Sequence, residues 1–448
     1  MSKLAAGFGG MLGEIRQLRG TNVWIFIVYG LLFDTLNNLW RPFAIKFLER
    51  LGGSEFEIAM LSALPGLVAA LVLLPGAILF RKFTNQKRAT ATFILISRLM
   101  LVAIAFIPAL PPAMQPMLFV VLIAVMNCPD SLSQTSLQSF LGTIFSGNMR
   151  GQAIALRTKF GQAFVPIVTI LSGLAITFIP RTNEQRIILY QIFFIGAFLL
   201  GILEVMVFNR LQVPDYLKQK TAPPPPDGSV DGLCKGQRGQ DPIVNKEHRV
   251  FAMLKAIAKD KKFIQFLVPT IVFAFTWQAA WPLLGILQVI HLGATELWLA
   301  LFGLVTGVCA FISGSFWQRI LRKYGNNTVF VASGLLIATN SFLFALAPNV
   351  QVLILTNAFS GFSLLGIQMA MLNGTLEATP DENRMTYLAT FNTIMNLSLF
   401  TAPFLAHFLL SRLGVVYALF VVGGMRFLGV FVVWACNKFK RKDVIEPV

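Results

Sequence analysis

Charge is what this 448-residue chain has least of: 13% of its residues are Asp, Glu, Lys or Arg, against about 25% in soluble domains. With 56% apolar residues, that scarcity excludes an ordinary soluble enzyme and a disordered chain. Cysteine is scarce too. Cys128, Cys234, Cys309 and Cys436 lie far apart, which excludes a disulfide framework and any metal-ligand spacing. The three histidines give no mid-membrane proton relay: His291 and His407 fall near helix ends and His248 in a polar stretch. No Ser-His-Asp grouping and no phosphate-cradling Gly-rich loop is present, so neither an enzyme nor an ATP-driven pump is expected, and no cofactor or metal. Acids are outnumbered by bases, 20 against 37, giving a net charge of +17. In a chain this apolar, the excess reads as Lys and Arg gathered in the loops on one side of a bilayer, not as a nucleic-acid footprint.

What is present is a series of long apolar runs. A spanning helix needs about 20 such residues, and twelve runs qualify: 21–48, 56–80, 88–110, 115–140, 151–178, 186–210, 262–290, 296–317, 327–347, 351–376, 386–410 and 415–437. The expected fold is all-α and polytopic. No cleavable signal peptide is expected, since residues 1–20 are mixed and the first long apolar run begins at Thr21. With both termini cytoplasmic, most Lys and Arg fall inside. Arg41, Lys46, Arg50, Arg181, Arg186 and Arg412 fall outside, and Arg98 and Arg426 lie mid-span. That is the positive-inside pattern.

A polar stretch at 212–250, with Pro223-Pro224-Pro225-Pro226, reads as a linker, and the basic, apolar-striped segment Val250–Lys262 reads as an amphipathic helix on the inner face. The expected division is therefore a six-span unit at 1–211, a cytoplasmic linker at 212–261 and a second six-span unit at 262–448. The two units are related in sequence. A shift of 241 residues carries Trp40 onto Trp281, Leu51-Gly52 onto Leu292-Gly293, Ser54-Glu55 onto Thr295-Glu296, Arg81-Lys82-Phe83 onto Arg322-Lys323-Tyr324, and Asn85 onto Asn326. Six spans per copy is an even number, so the copies enter the membrane in the same sense, as parallel repeats.

On these features the chain resembles the major facilitator superfamily over essentially its whole length. That family's loop after the second span reads Gly-x-x-x-Asp-Arg-x-Gly-Arg-Lys. Here Gly76 and Arg81 match, followed by Lys82, while Phe80 replaces the Asp and Phe83 the Gly. The second copy is looser, with Arg322 and Lys323. The resemblance implies two six-helix bundles around a cavity that opens alternately to each side, with these loops as gates. It also implies a monomer in the cell membrane whose partners are lipid, a small-molecule substrate and a coupling ion.

Polar groups inside the membrane point to the site, because a central Asp or Arg costs about 2.5–3.5 kcal/mol there and normally faces a cavity or a partner. Asp34, Asn37, Asn38 and Arg41 share one face of span one, and Asn127, Asp130, Gln134 and Gln138 one face of span four. Asp34, near mid-membrane, is where a carboxyl can exchange a proton, and the resemblance points to the same position; Asp130 is the second candidate. Arg98, buried in span three, needs a partner, and Asp130 fits. If the two pair, Asp130 is structural. Trp277, Gln278 and Trp281 in span seven, with Asn357, Asn392 and Asn396 further on, complete the expected cavity lining. Glu204, near the inner end of span six, reads as solvated. The function expected is secondary active transport of a small organic solute, proton-coupled, with export by antiport slightly favoured. Proton- or sodium-coupled uptake of a sugar or amino acid is the alternative, and a non-transporting sensor or lipid-handling protein the second.

Overall fold

The computed structural model describes residues 21–80, 83, 85–144, 147–212, 257, 259–379 and 384–442, and among these every regular element is helical. Hydrocarbon offers no partner to a backbone N–H or C=O, so apolar runs of this length satisfy themselves as helices. Span one is built from α1 (Asn22–Asn38) and α2 (Ala44–Arg50). Then come α3 (Glu55–Phe80), α4 (Gln86–Ala105), α5 (Gln115–Ile144), α6 (Gly147–Phe178) and α7 (Asn183–Arg210). The second half holds α8 (Lys261–Ile286), α9 (Glu296–Tyr324), α10 (Asn326–Ala345), α11 (Leu353–Ala378) and α12 (Arg384–Lys442).

Ten helices among the described residues are long and apolar enough to cross a membrane. The longest, Thr390–Cys436, covers two of the expected spans, since Gly414 at φ 77° interrupts α12. In α6 only Phe164–Phe178 is apolar throughout, because its first half carries Arg150, Arg157 and Lys159. Both features are consistent with twelve passages. Side-chain caps set several helix starts: Thr21 accepts from the Trp24 N–H, Asn85 from Arg88, and Asp260 from Lys262 and Phe263, each cap contributing about 1 kcal/mol. The 241-residue repeat is visible in the backbone. Gly52 (φ 84°) and Gly293 (φ 64°) make the same left-handed turn after span one and after span seven, where a side chain would be strained.

The two halves meet unequally. At the end of the bundle away from the linker, one apolar cluster joins Trp40, Phe47, Phe119 and Phe194 to Leu283, Phe302, Phe344 and Leu419. Toward the linker end there are two clusters instead, Phe26, Ile94, Phe160 and Phe208 in the first half and Phe263, Phe330, Ile367 and Val430 in the second. Small residues let the halves touch: a methyl on Gly173 of α6 would lie 2.8 Å from Ala300 of α9, and one on Gly66 of α3 2.9 Å from the Asn396 carbonyl of α12. Among the described residues the bundle is thus sealed at its far end by a core that both halves share, while toward the linker end each half keeps a core of its own. Most of the expected linker at 212–261, with its amphipathic helix, lies outside the described residues.

Candidate functional site

Span one carries the first polar group. Its helix stops at Asn38, and Pro42 opens a 3-10 turn at Arg41–Phe43 that throws Arg41 off the α-helical path. Asn37 and Asn38 turn inward on their own helix, donating to the carbonyls of Phe33 (2.8 Å) and Asp34 (2.9 Å). Asp34 looks across to α6, where Arg157 Nη2 donates to its Oδ1 at 3.2 Å, both side chains being 28% exposed. Two glycines make room for the pair. A methyl on Gly30 would overlap the Arg157 side chain, and one on Gly161 would lie 3.0 Å from Asp34 Oδ2. Each residue of the pair thus has a glycine opposite it, four residues along its own partner helix. Phe26 and Phe33 flank the guanidinium, with ring centroids 5.8 and 6.0 Å from its carbon.

Arg157 was invisible in the hydropathy reading. It lies in the basic first half of the expected span 151–178, where neither apolar run length nor an acid nearby along the chain marks it.

A second charge cluster holds the first bundle together. Arg98 of α4 donates from Nε to Glu204 Oε2 at 2.8 Å and from Nη2 to Oε1 at 3.2 Å, a bidentate pair. Its Nη1 reaches Asp130 Oδ1 of α5 at 3.2 Å. The guanidinium and both acids are buried, with Arg98 at 1% and Glu204 at 0% exposure. The expectation that Glu204 is solvated is therefore corrected: α7 packs directly on α4, and a methyl on Gly201 would lie 2.5 Å from Arg98 Cγ, so the acid is delivered to Arg98 inside the bundle. Arg41, its side chain 47% exposed, stands 3.7 Å from Asp130.

The other expected residues divide. Asn127 ties α5 to α3 by donating to the Pro65 carbonyl at 2.7 Å. Gln134 keeps a buried amide nitrogen without a partner. The Gln138, Arg81 and Lys82 side chains lie outside the described residues. Gly76 is buried, where a methyl would overlap Leu132 of α5. Arg322 and Lys323 are exposed, Lys323 with its ammonium 5.0 Å from the Tyr324 ring centroid. In the second half Gln278 is buried and reaches the Met395 carbonyl at 3.4 Å. Trp277 and Trp281 meet edge to face at 5.5 Å, with Trp281 exposed. Asn357 and Asn396 bond carbonyls of their own helices, and Asn392 is exposed. Arg426 is fully embedded without an acid: its guanidinium donates to the carbonyls of Thr276, Trp277 and Ile337 and to the Ser341 hydroxyl, joining α12 to α8 and α10.

Among the described residues two ion pairs cross between the halves at the sealed end, and the repeat relates them. Arg50 and His291 are one repeat apart, as are Glu55 and Glu296. Arg50 Nε donates to Glu296 Oε1 at 2.7 Å, the Tyr190 hydroxyl donates to the same oxygen at 3.2 Å, and Arg50 Nη1 reaches Asn183 at 2.8 Å. The counterpart, His291 with Glu55, is 3.6 Å apart and well exposed, and carries charge only when the imidazole is protonated.

Comparison with known proteins agrees with this architecture. The family model of the Major Facilitator Superfamily matches residues 23–373 and 270–446. No curated protein matches the chain. Among solved structures, a mutant of the nucleoside transporter NupG superposes with a TM-score of 0.67 at 13% identity, covering 93% of this chain and 100% of that one. A D-xylose-proton symporter gives 0.65 at 13%, covering 92% and 96%. A POT family transporter in complex with a thioalcohol-conjugated peptide gives 0.64 at 12%, covering 93% and 96%. At such identities these structures share the fold and nothing finer. With its repeat, its two bundles and its family match over most of its length, this chain is a multi-pass membrane transporter belonging to the major facilitator superfamily.

Proposed function

We propose that this protein is a proton-coupled secondary transporter of a small organic solute, with Asp34 as the proton carrier. The observation that carries the reading is the Asp34–Arg157 pair, joined by one hydrogen bond across α1 and α6, with both side chains only part-buried. A carboxylate so held is charged while its arginine stays and is free to take a proton when the arginine is drawn elsewhere. Asp130, gripped by Arg98, belongs to the scaffold instead. The bundles 1–211 and 262–448 rock about the solute site, and the sealed far end with the parted linker end represents one of the two access states. The positive-inside pattern supports a cytoplasmic linker and cytoplasmic termini, and in that orientation this state faces inward; the family resemblance supports a monomer in the plasma membrane.

The sequence leaned toward export by antiport, in which solute and proton compete for one acid. Arg157 beside Asp34 favours the other reading, cotransport, because a solute that engages Arg157 releases Asp34 to be protonated. Proteoliposomes loaded with a pH-sensitive dye test both. Solute added outside should carry protons inward in the wild type and not in Asp34→Asn. Proton movement unchanged in Asp34→Asn refutes the assignment, and proton exit on solute entry refutes cotransport.

A further inference from the structure

The arginines of this protein are unequally satisfied. Arg98 makes hydrogen bonds to Glu204, Asp130 and Ser97, and Arg426 to three carbonyls and a hydroxyl. Arg157, with five N–H donors on its fork, makes one hydrogen bond among the described residues, to Asp34, and its Nε is buried with no partner among them. A guanidinium half withdrawn from water with its donors unspent is an energetic deficit that an anion would relieve. The Phe26 and Phe33 rings lie within 5.8 and 6.0 Å of its guanidinium carbon and crowd the group from span one. Arg41, the next cation along span one, is half exposed and meets Asp130 only at 3.7 Å, beyond hydrogen-bonding distance. Apart from Arg426, all of these charges lie in the first half. The corresponding stretch of span seven has Phe275 in the place of Asp34 and carries the neutral Trp277, Gln278 and Trp281.

We infer that the solute carries an anionic group, a carboxylate or a phosphate, and that Arg157 is its binding residue, with Asp34 occupying the guanidinium when no solute is present. The inference rests on the transporter reading above and gives it a substrate class. Asp34 is then the competitor of the solute for Arg157, so removing its charge tightens anion binding.

The test uses the purified full-length chain and its thermal stability with matched probes: benzoate against benzamide, hexanoate against hexanamide, and phenyl phosphate against phenol. At least one anion should stabilise the wild type more than its neutral partner, a carboxylate or a phosphate response naming which anion is preferred. Asp34→Asn should lower the anion concentration needed about fivefold, the worth of one part-exposed ion pair. Arg157→Gln should abolish the difference between anion and neutral partner. Arg157→Lys should keep a weaker response, since the charge stays and the fork is lost, and it carries the test if the Gln variant does not fold. The inference is overturned if no anion outperforms its partner, if Arg157→Gln responds as the wild type does, or if benzylamine stabilises through Asp34 in its stead. Anion discrimination that vanishes while Asp34-dependent proton flux persists would retire this inference alone. Discrimination that persists without proton flux would retire the coupling and leave the anion site.

Discussion

Replacing Glu296 with Gln should unlatch the far end, and the repeat supplies its own control. Glu296 is 1% exposed and the Arg50 side chain 11%, so the acid is paired where little water reaches it. Removing one charge from such a pair costs about 3–5 kcal/mol. The amide oxygen of Gln can still accept from Arg50 or Tyr190, which sets the loss near the lower figure, about 3 kcal/mol. When the halves part at this end both groups are solvated, so the loss falls on the closed state only. It should move the closed-to-open ratio roughly 100-fold. Glu55→Gln removes the repeat-related acid, but its contact with His291 is 3.6 Å and exposed. A contact of that kind contributes about 1 kcal/mol at most, and only while the imidazole is protonated.

The measurement is a distance across the sealed end. Spin labels on Cys substitutions at Ala113, in the α4–α5 connection, and Gln351, in the α10–α11 connection, report it by pulsed electron resonance after the four native cysteines are replaced; both positions are exposed. The wild type and Glu55→Gln should give the short distance, and Glu296→Gln a substantial long-distance population. Two outcomes would refute the reasoning: an unchanged distribution in Glu296→Gln, or equal opening in the two variants.

Other outcomes follow from the same geometry. Glu204→Ala leaves Arg98 buried with half its charge partners gone and should destabilise the protein by about 3–5 kcal/mol, read as an early thermal transition in detergent. Arg426→Met should cost clearly less than Glu204→Ala in the same assay, because it removes an uncompensated buried charge and the carbonyls it leaves lie within helices that already bond them. Gly30→Ala should fold, since its methyl meets only a flexible side chain, but it should push Arg157 off Asp34 and change the pH profile of transport, while Gly161→Ala, with 3.0 Å of clearance, should do so less. Gly66→Val should weaken the α3–α12 contact, where the obstacle is backbone, and lengthen the 113–351 distance.

Apolar run length made the spans legible in the sequence, because a bilayer imposes one simple requirement on every helix. The repeat was legible for a similar reason: Gly52 and Gly293 are tied to a left-handed turn that no other residue takes as readily. The ion pairs were only partly so. Arg98 announced itself as a lone charge in an apolar helix, and Asp130 as the acid it needed. Glu204 lay close enough to a helix end to pass for a surface residue, since burial there depends on how far α7 overlaps α4. Arg157 was hidden among the basic residues at the start of span five, where composition cannot distinguish loop from a helix extended beyond the hydrocarbon. Cross-half partners such as Arg50 and Glu296 are set by docking of the bundles and leave no trace in spacing along the chain.

The placement of the charges follows a rule that the rocking motion requires. The charge cluster that would be costly to break lies within one bundle: Arg98 with Glu204 and Asp130 moves as a unit whichever side is open. A charge pair buried midway between the bundles would have to be torn apart in hydrocarbon at each turnover, exposing two unpaired ions to a low dielectric. The cross-half pairs are therefore found at the far rim, Arg50 with Glu296 and Glu55 with His291, where water is at hand to replace each partner as the halves separate. Between rim and centre the contacts that must slide are apolar or small, Gly66 on the Asn396 carbonyl and Gly173 on Ala300, which lose only packing when they part. If that division is correct, placing a charge on the mid-span seam, as in Gly66→Glu beside the Asn396 carbonyl, should arrest the protein in one access state even where it leaves the fold intact, and the 113–351 distance would then no longer respond to Glu296→Gln.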